Sequence, residues 1–117
     1  MRHVVEQRGS DDAKPLTEPV LLILMSLADQ PRHGYALLKD IERLSSGRIR
    51  MSTGTLFGAL KRMLDDGWIE RFEQEDTSRQ KQAYRLAASG RKQLERELER
   101  MKQLTRAGFA RLRASEA

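Results

Sequence analysis

Met51-Ser-Thr-Gly-Thr-Leu-Phe-Gly-Ala-Leu-Lys-Arg-Met-Leu64 is the stretch that decides how this chain folds. Ser52 is a favoured helix N-cap, because its hydroxyl can accept one of the free amides of the first turn. Leu56, Leu60, Met63 and Leu64 then recur at helical spacing as a buried stripe, and Gly67 supplies the stop. With Leu56 turned inward, the outer face is Gly54, Phe57, Gly58, Lys61, Arg62 and Asp65. From Arg43 to Leu64 there are five basic residues and no acidic one. A mid-helix glycine costs about 0.5–1 kcal/mol against alanine. Two of them on one outer face, beside two cations, suit close approach of something negative.

On duplex DNA that face has specific uses. Lys61 and Arg62 can neutralise phosphates, and an arginine can also reach guanine edges. Ser52, Thr53 and Thr55 sit where helix amides and hydroxyls suit a phosphate, and in a helix-turn-helix this end of the helix meets the bases. Plainer readings stand beside these. Lys61 and Arg62 can be solvated charges, Phe57 can lap onto the following hairpin as core, and Gly54 and Gly58 can serve tight helix packing.

Working outward, Thr17 can cap a first helix that runs to about Ala28. Its residues 20–25 are apolar on every side, so it must be covered all round. The domain core takes one face, and a second subunit is the natural cover for the other, through Leu21 and Leu24. Residues 29–34 read as a turn. A second helix follows from Tyr35 to Leu44, with Ala36, Leu37, Ile41 and Leu44 inward and Lys39, Asp40, Glu42 and Arg43 largely outward. Tyr35 reads either as core or as a hydroxyl that reaches a phosphate. Residues 48–51 alternate enough for a small strand. Residues 68–72 and 82–86 read as a hairpin with Trp68 in the core, and residues 73–81 as its polar loop. From that loop Arg79 and Lys81 are expected to approach a DNA backbone while the acids point away.

From Ser89 to about Arg113 one long helical pattern spans on the order of 37 Å. Leu94, Leu98, Met101, Thr105, Gly108 and Leu112 step by 4-3-4-3-4, with Leu104 and Phe109 alongside. That is a coiled-coil-like seam, and a second copy of the chain would cover it. The order of elements predicts a mainly α (α+β) protein. Residues 1–15 form a loose arm, 16–88 a winged helix-turn-helix domain, and 89–117 a C-terminal dimerisation helix.

The composition agrees with a nucleic-acid partner. The 117 residues carry a net charge of +5, which favours an anionic partner. With no cysteine and two scattered histidines, the chain offers no thiol chemistry and no constellation for a metal, a cofactor or acid–base catalysis. It is not expected to be an enzyme. The apolar run of the first helix is far shorter than the roughly 20 residues a membrane span needs, so no membrane partner is expected and the protein is placed in the cytoplasm.

His33-Gly34-Tyr35, the run from Arg48 to Arg62, Asp66-Gly-Trp-Ile-Glu70 and Tyr84-Arg-Leu86 together resemble the PadR-like family of transcriptional regulators. The resemblance covers roughly residues 16–114. It implies a winged-helix homodimer, joined through the last helix and the first, that represses promoters with two-fold related half-sites. In some members an aromatic, phenolic or drug-like compound binds between the subunits and releases the DNA. This chain departs from the pattern at Thr53, where the family usually has Pro, and at Phe57, where it usually has Tyr. It departs again at Ala87, where Thr is usual, so the last helix must take its cap from Ser89 or begin frayed. A single long C-terminal helix resembles the short branch of the family, and Phe109 is its only aromatic. The alternative is a winged-helix dimer that binds protein, or nucleic acid without sequence preference.

Overall fold

The computed structural model describes residues 14–72 and 82–116. Helix α1 is Glu18–Ser26, strand β1 Arg32–His33, helix α2 Gly34–Leu44 and helix α3 Thr53–Asp65. Strands β2, Ile69–Phe72, and β3, Ala83–Leu86, follow, and helix α4 is Ala88–Ser115. The sheet is antiparallel with the order β1-β3-β2, so β3 is central. This is the expected mainly helical, winged helix-turn-helix architecture with a long last helix.

The local signals in the chain explain most of these boundaries. Thr17 caps α1, its hydroxyl accepting the Val20 amide at 3.4 Å, with Pro19 in the first turn. Helix α3 ends in a Schellman turn, in which the Trp68 amide reaches the Met63 carbonyl and the Gly67 amide that of Leu64. Gly67 sits there at φ +79, a left-handed backbone that side chains rarely tolerate.

The first strand lies elsewhere than expected. Residues 48–51 form no strand. Their alternation half-buries Ile49 and Met51 against the core, but the Ile49 amide goes to the Ser45 hydroxyl at 3.0 Å rather than to a sheet. The short strand is Arg32–His33, inside the segment that reads as a turn. It pairs with β3 through Arg32 opposite Tyr84 and His33 opposite Ala83.

A polar network holds that strand. The Ser26 hydroxyl donates to Asp40 Oδ2 at 2.6 Å, and Arg32 Nε donates to the Ser26 carbonyl at 2.7 Å. Asp40, which helical spacing puts outward, is therefore largely buried between Arg32 and Arg43. Burial alone would raise its pKa. The hydrogen bonds from Ser26 and Arg43 and the charge of Arg32 outweigh burial and hold the carboxyl below its ordinary value.

The core joins α1, α2 and α3 to the inner face of the sheet. Ile23, Leu24, Leu37, Ile41, Leu56 and Leu60 are its most enclosed side chains. Two residues assigned to the dimer interface need correction here. Leu24 is wholly enclosed by its own chain, and Leu94 is buried in the same cluster. Periodicity shows that a face is covered without showing by what. Leu21 is half-buried at the edge of this core.

Helix α4 is cut into two environments. Gly90, Gln93, Leu94 and Glu97 are buried against the body, while residues 101–116 are exposed along their whole length. Arg100 donates two hydrogen bonds to Glu97, the shorter 2.6 Å, and these hold the Glu97 carboxyl below its usual range against the cost of burial. The start of α4 also differs from expectation. Ala87 occupies the N-cap without a side-chain bond, and the Ser89 hydroxyl donates instead to the Gly67 carbonyl at 2.6 Å.

Candidate nucleic-acid interface

Helix α3 presents the face expected of it. Leu56, Ala59, Leu60 and Met63 are buried. Gly54, Phe57, Lys61, Arg62 and Asp65 are exposed on the opposite side, with Gly58 half-exposed. At the helix start the Ser52 hydroxyl accepts the Thr55 amide at 3.1 Å and donates to Thr55 Oγ1 at 3.0 Å. Its proton is thus already used. The Thr55 hydroxyl proton and the exposed Thr53 side chain are better placed for an outside acceptor.

The glycines do not serve packing within the chain. A Cβ on Gly54 would meet nothing within 4 Å, and one on Gly58 would meet only Arg62 Nη1 at 3.9 Å. Both mark open surface, which leaves approach from outside as the reason to keep them small.

Phe57 does two things at once. It remains 40 % exposed, yet its ring tip lies 2.7 Å from where a Cβ on Gly34 would stand. It packs on the first residue of α2 and joins the two helices of the helix-turn-helix. Gly34 is a residue whose role sequence reasoning missed. Its place in His33-Gly34-Tyr35 was the available signal. Tyr35, next to it, is 62 % exposed, so the core reading fails and its hydroxyl faces solvent at the start of α2. Trp68 packs against the core cluster as expected.

Between α3 and the sheet runs a groove of about 320 Å³ lined by Phe57, Leu60, Lys61, Leu64, Asp65, Arg71 and Tyr84. Arg71 on β2 was not singled out from the sequence. The other face of the same hairpin is self-paired, with Arg85 bound to Glu70 at 2.8 Å and stacked over Phe72. Arg79 and Lys81 lie outside the described residues. Among those residues, no group of His, Cys, Asp or Glu could hold a metal ion, and no helix is long and apolar enough to cross a membrane.

The model of the transcriptional regulator PadR-like family matches residues 23–96, from within α1 to the early part of α4. The chain belongs to this family. A PadR family transcription regulator from Clostridium difficile has the same fold at a TM-score of 0.68, with 21% identity over 82% of this chain and 99% of that one. Bacillus subtilis PadR in complex with operator DNA aligns at a TM-score of 0.59, with 22% identity over 68% of this chain and 45% of that one. At these identities the likeness is one of fold. In sequence, an uncharacterized 37.1 kDa protein in transposon TN4556 of Streptomyces fradiae is 36% identical over 85 residues. The match takes in 73% of this chain but only 23% of that protein, so this PadR-like chain spans less than a quarter of that relative's length. Members of the family are transcriptional regulators, not enzymes.

Proposed function

We propose that this PadR-like regulator is a repressor that binds a two-fold related operator as a homodimer, laying α3 of each subunit in the major groove. The open, small and cationic outer face of α3 carries this reading. Gly54 and Gly58 have free space above them, and Lys61 and Arg62 flank that space without an acid until Asp65. Thr53, Thr55, Phe57 and Tyr35 border it, with Ser52 holding the helix start. The second copy is supported by the apolar stripe of α4, where Leu98, Met101, Leu104, Phe109 and Leu112 are each at least 38 % exposed in the single chain. Thr105 lies on the same stripe. The family resemblance adds release by an aromatic or drug-like effector seated between the subunits.

Replacing both glycines separates this reading from a merely structural one. Gly54→Ala with Gly58→Ala should stabilise the fold, since each exchange is favourable in a helix by up to about 0.5–1 kcal/mol and meets no clash. Operator affinity should fall because the added methyls hold α3 away from the groove. Melting curves and fluorescence anisotropy on a duplex selected by the protein would measure both. A double variant that melts higher and binds as well as before would contradict the reading. A wild-type preference near one for that duplex over a random one would favour a module without sequence preference.

A further inference from the structure

The groove between α3 and the sheet holds a donor set that the fold does not use. Lys61 lines it from the helix and Arg71 from β2, and neither has an ion pair among the described residues. Ile69 and Arg71 share the inner face of β2, and Tyr84 lies directly opposite Arg71 on β3. Tyr84 is only 6 % exposed, and its hydroxyl has no hydrogen-bond partner among the described residues. The hydroxyl itself keeps contact with solvent. It is therefore free to donate to a group from outside the chain. Leu60, Leu64 and Phe57 give the groove an apolar floor, and Asp65 is the single acid in its lining. Two cations and a phenol against one carboxylate leave the site net positive and rich in donors.

We propose that this groove seats a phosphodiester of the bound duplex, gripped by Lys61 from the recognition helix and Arg71 from the sheet, with the Tyr84 hydroxyl as third donor. The inference rests on the reading of α3 as a DNA reader and adds a second jaw to it. Arg71 is then a positioning residue. It contacts backbone alone, sets how deeply α3 sits, and carries no base information. On the other face of the described strands, Arg85 is already spent on Glu70.

The test is the salt dependence of binding on the selected duplex and on an unrelated duplex of equal length. Arg71→Ala should weaken both by the same factor, at least about fivefold at physiological salt for each lost phosphate contact. The slope of log affinity against log salt should fall by about one per subunit. Tyr84→Phe should weaken both duplexes without lowering the melting temperature, because the hydroxyl it removes has no partner within the chain. Lys61→Ala combined with Arg71→Ala should cost less than the product of the single effects, since both grip one phosphate. An Arg71→Ala protein that melts normally and keeps the wild-type slope overturns the clamp while leaving the reading of α3 intact. A wild type that binds neither duplex overturns both.

Discussion

Gly90→Ala is expected to cost at least about 3 kcal/mol, the upper end for overpacking a tight site. A Cβ at this position would stand 2.0 Å from the Trp68 carbonyl oxygen, 2.9 Å from its carbon and 3.1 Å from Leu86 Cδ1. The first two are backbone atoms, which cannot swing aside as a side-chain tip can. They are also held in place. The Trp68 carbonyl accepts the Ala87 amide at 3.0 Å, and the neighbouring Gly67 carbonyl accepts the Ser89 hydroxyl. Gly90 thus lets the first turn of α4 lie directly on the turn that links α3 to the sheet. Thermal denaturation should show the midpoint fall by roughly 10–20 °C, at several degrees per kcal/mol for a domain of this size. A fall of only a degree or two would mean that α4 does not seat on this turn.

Leu98→Glu should leave the subunit folded and abolish the dimer. Leu98 is 41 % exposed at the point where α4 leaves the body, so the fold loses little by the exchange. In a dimer it would bury a carboxylate in the apolar seam, on both sides of the two-fold axis at once. Operator affinity should fall on the order of a hundredfold or more, because two linked half-site contacts become independent ones. Sedimentation should give a monomer with unchanged helical content. Leu94→Glu, four residues earlier and 5 % exposed, should unfold the subunit instead. If Leu98→Glu stays a tight dimer, the seam is misplaced.

That contrast shows what the sequence could and could not disclose. Helix α3 was legible throughout, because its cap, stripe and stop are local and lie within sixteen residues of chain, Ser52 to Gly67. The exposed apolar stripe of α4 was legible for the same reason, as a regular spacing of side chains along one helix. The end of that stripe was not. Leu94 and Leu98 are equivalent in period, and only the placement of α1 against α4 assigns one to the core and leaves the other exposed. Leu24 was misassigned on the same ground. Strand β1 escaped notice because two residues carry no alternation, and its pairing depends on where β3 arrives. Gly34 and Gly90 were silent as well, since a glycine's purpose lies in the neighbour it admits, here the Phe57 ring and the Trp68 carbonyl. Arg71 was passed over because one cation in a poorly alternating strand has no meaning until Lys61 and Tyr84 stand beside it.

The most direct test of the central claim is the affinity of Lys61→Ala/Arg62→Ala for the selected duplex, measured by anisotropy across a salt series. Both side chains are exposed and make no ion pair among the described residues, so melting temperature and sedimentation should not change. If α3 reads DNA, a dimer loses four cationic contacts. Binding should then vanish at physiological salt, and any residual low-salt binding should have a slope reduced by about 3 to 4. An intact dimer of this variant that binds the duplex with wild-type affinity and slope would contradict the account.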